Sequence, residues 1–301
     1  MIRVGVDFGG TKIEAAAIDA EGRYAARLRQ PNPGTYDEAL ATVARLLEAV
    51  ERETGAIERV GVGTPGSISP RTGMIRNANS TWMNGRPFHL DLERSLGRPV
   101  RIANDANCLA LSEASDGAAA AARVVFAAIV GTGCGGGVVV DGTIVEGANG
   151  VGGEWGHSPL PWPSGPELPP HRCWCGRVGC LETYVSGTGF EADYREATGT
   201  PRRGPDIIAA MRGGEAEATA AFDRYVDRLG RGLAVVGDII DPDVIVLGGG
   251  MSNVDELYER LPAVYSDRLF SDACETRIVK AAHGDSSGVR GAAWLWPLKD
   301  R

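Results

Sequence analysis

A compact group of potential metal ligands lies in the middle of the chain. Cys173, Cys175 and Cys180 fall within eight residues of one another, interleaved with glycine, and His157 lies sixteen residues before the first of them. Three thiolates and one imidazole form a Cys₃His set, which binds Zn²⁺ tetrahedrally in proteins. The spacing therefore predicts a zinc site, with His157 as the fourth ligand and His171 as the alternative.

A disulfide is the other use of such cysteines. It agrees less well with this chain, because the cluster is odd in number and the sequence opens directly on a strand, without a signal peptide. We therefore expect a cytoplasmic protein with reduced thiols. No apolar run approaches the roughly 18 residues that span a membrane. The net charge of −8 argues against nucleic acid as the main partner.

A carboxylate and an amide follow a short apolar strand at residues 100–103. The carboxylate of Asp105 could accept a proton from a substrate hydroxyl. Alternatively, Asn104 or Asp105 caps a helix, since Asn and Asp are preferred at that position and Leu109 and Leu111 fit a helix that follows. The residues alone leave both roles open.

Glycine-rich segments interrupt apolar strands at residues 7–12, 131–137 and 248–250. The chain has 42 glycines in 301 residues, about twice the usual fraction of roughly 7%. Backbone N–H groups in such tips can bind phosphate. Lys12 could balance phosphate charge, and Asp7 could hold Mg²⁺, which prefers oxygen ligands. An ordinary tight hairpin is the alternative, and none of the three segments matches a Walker A motif or a dinucleotide-binding fingerprint.

The elements around the first two glycine segments repeat. Strand, glycine tip and strand occur near residues 7–12 and again near 131–137, which predicts two related α/β lobes with a cleft between them. We expect residues 1–118, joined by a C-terminal helix at about 286–301, to form the smaller lobe. Residues 119–285 form the larger lobe, with the zinc segment. A capping box at Thr35 and Glu38 and a glycine stop at Gly55 bound the first predicted helix.

Taken together, these motifs resemble the ROK group of bacterial sugar kinases, which has the two-lobed actin/hexokinase-type ATPase fold. The resemblance runs from residue 4 to about residue 296. It is carried by Asp7-Phe8-Gly9-Gly10-Thr11-Lys12, by Asn104-Asp105, by Glu154-x-Gly156-His157 and by Cys173-x-Cys175-Gly176-x-x-Gly179-Cys180-x-Glu182. Segments 66–70, 77–82, 186–190 and 284–291 are similar to the fructokinase (manno-fructokinase) branch.

The resemblance implies a role for each motif. Asp105 would be the base that accepts the sugar hydroxyl's proton, and the zinc would be structural and shape the sugar site. The implied sugar-binding residues are Gly66, Asn79, Asn104, Asp105, Glu154, His157 and Glu182. The implied ATP-binding residues are Asp7, Gly9, Gly10, Thr11, Lys12, Gly131, Thr132, Gly133, Cys134, Gly248, Gly249 and Gly250.

The resemblance further implies ATP-dependent phosphorylation of a free hexose, with D-fructose converted to fructose 6-phosphate. ATP would be the phosphoryl donor and Mg²⁺ the metal cofactor. The alternatives within the family are a glucokinase or mannokinase and an N-acetyl-hexosamine kinase. A sugar-responsive regulator is a further alternative, but the first strand begins at Ile2 and leaves no room for a DNA-binding domain in front of it. The family also suggests a homodimer.

Overall fold

The computed structural model describes residues 2–78 and 80–296. Its strands are β1 Arg3–Phe8, β2 Lys12–Ile18, β3 Tyr24–Pro31, β4 Val60–Thr64, β5 Ser67–Ile68, β6 Ile75–Arg76, β7 Val100–Asn104, β8 Val124–Val130, β9 Cys134–Val140, β10 Thr143–Ile144, β11 Val244–Gly248 and β12 Arg277–Lys280. Its α-helices are α1 Tyr36–Thr54, α2 Phe88–Leu96, α3 Asp105–Asp116, α4 Glu182–Val185, α5 Gly187–Thr198, α6 Gly204–Arg212, α7 Ala216–Ile240, α8 Glu256–Arg268 and α9 Ser287–Trp294.

Two five-stranded sheets share one strand order. The first is β3-β2-β1-β4-β7 and the second is β10-β9-β8-β11-β12. In the first, β1, β4 and β7 run parallel and β2 and β3 extend the sheet antiparallel. In the second, β8, β11 and β12 run parallel and β10 pairs antiparallel with β9. This repetition confirms the duplicated arrangement predicted from the two glycine tips.

The second glycine tip is shorter than the sequence predicts. β9 already begins at Cys134, so residues 135–137 are strand rather than loop. These glycines serve close packing, because a Cβ built at Gly136 would lie 2.6 Å from the Trp155 ring. A Cβ at Gly137 would lie 2.5 Å from the carbonyl oxygen of Ala106. Some glycines of this segment form the loop, and others are needed because neighbouring residues pack too closely to leave room for a side chain.

The chain divides into two compact units. The first comprises the residues up to Ala121, Gly137–Gly152 and the residues from Ala282 onward. The second comprises Ala122–Gly136 and Gly153–Ala281. Among the described helices, none is long and apolar enough to cross a membrane.

The core of the first unit follows the alternation of β1. Val4, Val6 and Phe8 are buried with apolar residues of α1, since successive side chains of a strand point to opposite faces. On the other face α9 lies directly on the sheet, where a Cβ at Gly5 would come within 2.5 Å of the Ala293 nitrogen. Glycine is therefore required at Gly5 to admit the helix.

The buried carboxylate of Glu113 on α3 binds the segment from Ala282 to Ser287 by hydrogen bonds. Glu113 accepts hydrogen bonds from the backbone N–H groups of Ala282 (2.9 Å) and His283 (3.0 Å) and from the hydroxyl of Ser287 (3.1 Å). It also accepts one from the N–H of Ala118 at the end of its own helix. Four donors satisfy a carboxylate whose burial would otherwise destabilise the fold.

α1 begins after Thr35 and ends before Gly55, as predicted, but its first turn lacks the predicted capping hydrogen bonds. Gly55 stops the helix at φ +89°, a conformation that glycine adopts without strain. The predicted capping box is wrong, because the Thr35 hydroxyl donates to the Glu38 carboxylate at 2.7 Å and caps no backbone N–H. The two side chains satisfy each other instead of the helix terminus.

The second unit is built on its longest helix. Phe222, Leu229 and Leu233 of α7 are fully buried, and their spacing puts them on one face of the helix. The helix ends at Ile240, and Asp241 follows at φ +44°. Arg228 of α7 forms a buried ion pair of 2.9 Å with Glu167, which lies before Cys173, and one of 2.6 Å with Asp193 of α5. These pairs hold both segments against α7.

Candidate functional site

In the first unit, the predicted catalytic and metal-binding groups follow adjacent parallel strands. Asp7 of β1 pairs with Gly63 of β4, and Thr64 of β4 pairs with Asn104 of β7. The carboxyl ends of parallel strands meet at one edge of a sheet, where α/β proteins place their ligands. The structure thus brings the carboxylates of Asp7 and Asp105 to the same edge.

The structure assigns the capping role to Asn104, and the catalytic role of Asp105 stays a prediction. Asn104 is the N-cap of α3, and its side-chain oxygen accepts from the N–H of Asn107 at 2.7 Å. Asp105 is the first residue of the helix, and its carboxylate accepts from the N–H of Ala106 at 2.8 Å. The Asp105 side chain is exposed to solvent. Because Asn104 caps the helix, the carboxylate of Asp105 is not needed for that role.

The protein disfavours the charged forms of both carboxylates. Desolvation raises the pKa of half-buried Asp7 to about 6, helped by the negative charges of Asp105 and Glu14 and opposed by Lys12 and Arg29. Asp105 is open to solvent on one side, but the protein around it excludes water from the rest and so raises its pKa, while the hydrogen bond from Ala106 opposes this. A carboxylate with a raised pKa is a stronger base than a free aspartate.

The first glycine tip is held by a residue that the motif analysis missed. The side-chain NH₂ of Asn32 donates to the carbonyl of Gly9 at 2.7 Å, and its backbone N–H donates to the carbonyl of Thr11 at 2.9 Å. Asn32 follows β3, so it reaches the tip across the sheet. The sequence Asn32-Pro33-Gly34 is typical of a turn and could have indicated that Asn32 follows the end of a strand.

Two further close approaches shape this edge. A Cβ at Gly288 would lie 3.0 Å from the Asp7 carboxylate, so glycine there lets the start of α9 approach Asp7. Gly66 has φ +76°, and a Cβ on it would lie 2.7 Å from the Ala78 nitrogen. The predicted sugar ligand Asn79 lies outside the described residues.

In the second unit, the other two glycine segments lie together. Gly249 has φ +84°, and a Cβ on it would lie 2.8 Å from the Val130 carbonyl. The carbonyl of Gly131 accepts from the N–H of Gly187 at 2.6 Å. The carbonyl of Thr132 accepts from the hydroxyl of Thr188 at 2.8 Å. Residues 131–133 and 248–250 therefore form one backbone-rich surface, held by the start of α5.

The four predicted zinc ligands converge. The ligand atoms of His157, Cys173, Cys175 and Cys180 all lie within 4.8 Å of one another. Sγ of Cys175 is 3.6 Å from Sγ of Cys180, and Sγ of Cys173 is 3.7 Å from Nδ1 of His157. Zn–S bonds of about 2.3 Å at tetrahedral angles put sulfur atoms about 3.8 Å apart, so these separations fit Zn²⁺.

The alternative fourth ligand points elsewhere. His171 packs its ring on Tyr184 at 5.0 Å, and its Nε2 lies 3.6 Å from the Glu196 carboxylate. The group of four ligand atoms does not include it. The structure therefore favours His157 over His171.

A short 3₁₀ turn, Trp155–His157, places His157 in this group. The Trp155 indole N–H donates to the carbonyl of Gly135 at 2.8 Å, and its ring meets Phe126 edge-on at 5.4 Å. A Cβ at Gly156 would overlap the carbonyl of Cys134. The glycine of the Glu-x-Gly-His motif is thus the residue that lets the turn press against β9.

The carboxylate of Glu182 links the zinc segment to the second glycine tip. Its Oε2 accepts from the backbone N–H of Cys134 at 2.9 Å, and its Oε1 accepts from the indole N–H of Trp174 at 2.6 Å. The Trp174 ring also meets the His157 ring edge-on at 5.2 Å, so Trp174 contacts both residues. Trp174 was not among the predicted site residues.

Comparison with known proteins agrees with this arrangement. A family model described as the ROK family matches residues 3–299. The chain is 43% identical to an N-acetyl-D-glucosamine kinase of Pectobacterium atrosepticum, over 97% of each chain.

Solved structures show the same fold. The crystal structure of a ROK hexokinase from Thermus thermophilus matches with a TM-score of 0.87 and 34% identity, over 98% of this chain and 97% of the other. A ROK family glucokinase from Streptomyces griseus, in complex with glucose and AMPPNP, matches with a TM-score of 0.78 and 27% identity over 98% and 99%. The actin/hexokinase-type ATPase fold predicted from the sequence is confirmed.

Proposed function

Since the chain belongs to the ROK family and is a sugar kinase, we propose that it transfers the terminal phosphoryl group of ATP to the 6-hydroxyl of N-acetyl-D-glucosamine. The identity of 43% to an N-acetyl-D-glucosamine kinase, over nearly the whole of both chains, carries this choice of sugar. The fructokinase interpretation has no comparable support. The alternative that the sequence also left open, an N-acetyl-hexosamine kinase, is better supported than a fructokinase.

Asp105 is the proposed general base. It is exposed at the carboxyl edge of the first sheet, and its raised pKa makes it a stronger base toward a hydroxyl than a free aspartate. Asn104 caps the helix that carries it and so fixes its position. Phosphoryl transfer depends mainly on positioning and charge stabilisation, so one base and well-placed donors suffice.

Asp7 is the proposed ligand of Mg²⁺. A half-buried carboxylate whose pKa is raised in spite of Lys12 and Arg29 is a suitable partner for a hard divalent ion, and at pH values above its pKa of about 6 it is ionised. When bound, Mg²⁺ neutralises phosphate charge. Lys12, on the strand that follows the first tip, is proposed to contribute further positive charge.

The second unit is proposed to supply neutral donors and sugar ligands. Residues 131–133 and 248–250 would bind the phosphates and adenosine of ATP through the backbone, while the Cys134 N–H is already used by Glu182. Glu154, His157 and Glu182 would hold sugar hydroxyls. Gly66, Asn79 and Asn104 are the proposed sugar residues of the first unit.

The His157 and cysteine group is proposed to bind structural Zn²⁺. Its donor set and its spacings of 3.6 and 3.7 Å fit that ion, and all four protein ligands would be used. Such a closed site leaves no position for a reactive water, so the metal would hold His157 and Glu182 in place. A homodimer and a cytoplasmic location stay predictions.

A coupled assay of ADP release tests the proposal. N-acetyl-D-glucosamine, N-acetyl-D-mannosamine, D-glucose, D-mannose and D-fructose are compared as substrates at one ATP concentration. We expect the highest kcat/KM with N-acetyl-D-glucosamine. A higher value with fructose or glucose would overturn the choice of sugar, and no ADP release with any hexose would overturn the kinase assignment.

A further inference from the structure

Trp174 is an exposed aromatic residue whose polar atom is nevertheless paired. It lies between two cysteines of the zinc group, and 69% of the residue is open to solvent. Its indole N–H donates to Oε1 of Glu182 at 2.6 Å. Its ring also meets the His157 imidazole edge-on, with centroids 5.2 Å apart. A side chain so exposed contributes little to the core, so its contacts with Glu182 and His157 are its main interactions.

Glu182 is held at both of its oxygens. Oε2 accepts from the N–H of Cys134 at 2.9 Å, and Oε1 accepts from Trp174. Oε1 also lies 3.9 Å from Sγ of Cys173, which would donate no hydrogen bond as a thiolate ligand of a metal. Each carboxylate oxygen can accept two hydrogen bonds, so Oε2 keeps one position for a ligand hydroxyl, and Oε1 keeps one when Cys173 is a thiolate. The two protein donors therefore fix the plane of the carboxylate without filling it.

We propose that Trp174 is a positioning residue for sugar binding, which acts by fixing the orientation of the Glu182 carboxylate. This inference rests on the proposed function, in which Glu182 holds sugar hydroxyls. A carboxylate that is already oriented loses less side-chain freedom when the sugar binds, and this favours affinity. A carboxylate held only by the Cys134 N–H rotates more freely and binds the sugar more weakly.

We expect sugar binding to change the fluorescence emission of Trp174. A sugar bound at Glu182 lies beside the exposed indole of Trp174 and displaces water from it. The emission of this tryptophan then shifts on sugar binding. The chain has six tryptophans, so the signal of Trp174 is the difference between the wild type and a variant that lacks it.

Trp174→Phe is the informative variant, because it keeps an aromatic ring beside His157 and removes the N–H donor. Trp162→Phe is the matched control, since Trp162 is also exposed, at 54%, and lies in the segment before the zinc cysteines. We expect Trp174→Phe to raise the KM for N-acetyl-D-glucosamine about 3- to 10-fold, the range for one lost hydrogen bond. Its kcat should change less than about 2-fold, its zinc content should stay at the wild-type level, and the sugar-induced emission shift should disappear. The control should keep the wild-type KM and emission shift.

An unchanged KM in Trp174→Phe would overturn the proposal. So would a wild-type protein that phosphorylates the sugar without any emission shift, and this measurement does not depend on the variant's folding. Loss of zinc in the variant would also overturn it, because the effect would then come from the metal. If the wild type releases no ADP with any hexose, the proposed function fails instead.

Discussion

The carboxylate of Glu182 accepts a hydrogen bond of 2.9 Å from the backbone N–H of Cys134. This bond joins the segment of the predicted zinc ligands to the strand that follows the second glycine tip. In the proposed function, the same carboxylate binds the sugar and the same tip binds ATP. One hydrogen bond thus connects a residue assigned to the sugar with the strand beside the loop assigned to ATP. A change in the segment that holds Cys173, Cys175 and Cys180 should therefore affect how these two residues are placed relative to each other.

The role of Asp105 is tested by Asp105→Asn. We expect kcat to fall about 10²- to 10⁴-fold, because the amide cannot accept the proton and general-base catalysis is worth about that factor. In the wild type, activity should fall as the pH is lowered through the raised pKa of Asp105, since only the ionised form is a base. Steady-state kinetics against pH measure both. Near-normal turnover in a folded Asp105→Asn protein would refute the assignment.

The raised pKa of Asp7 predicts a gain of stability in Asp7→Asn. The pKa of about 6 in the fold exceeds the ordinary value of 3.8, so the native state holds its proton longer than the unfolded chain. Stability is therefore lost as the pH rises from about 4 to 6, and the asparagine variant avoids this loss. We expect it to be more stable at pH 8 by up to about 3 kcal/mol, and to lose most of this advantage at pH 4.

Urea unfolding at the two pH values, without ATP and Mg²⁺, measures the difference. The same variant should be poorly active, because it lacks the proposed Mg²⁺ ligand. An Asp7→Asn protein that is less stable than the wild type at pH 8 would contradict the electrostatic argument.

The metal site predicts one Zn²⁺ per chain in protein purified without chelator. Chelation should lower the thermal midpoint and raise the KM for the sugar, because His157 and Glu182 lose their support. Cys180→Ser should lose the metal. Cys274→Ser is the matched control, since Cys274 is a partly buried thiol outside the ligand group. Elemental analysis gives the stoichiometry, and a Cys180→Ser protein with full zinc would sink the prediction.

The parts of the site that the sequence predicts well are those carried by nearby residues. Cys173, Cys175 and Cys180 are separated by so few residues that a turn must bring them together. Three thiolates and one imidazole are typical ligands of Zn²⁺, so the sequence also predicts which metal would bind. The two uses of Asn104 and Asp105 could not be separated from sequence. The structure assigns capping to Asn104, and the catalytic role of Asp105 stays a prediction.

The relationships that sequence could not predict join residues far apart in the chain. Asp7 and Gly288 meet only because α9 returns to the first sheet. The hydrogen bond from Trp174 to Glu182 depends on the local fold around the metal ligands. Residues 135–137 looked like loop because glycine is common in loops, but their strand conformation is set by neighbours such as Trp155 and Ala106.

The fastening of the last segment by Glu113 bears on how the protein is made. The first unit takes its strands from the beginning of the chain and α9 from the end. During synthesis, the second unit's entire sequence is made before α9, so α9 can cover the face at Gly5 only after that. Domains generally fold in the order in which they emerge. Here the N-terminal unit begins first in the chain but can be completed only after the whole of the second unit has been synthesised.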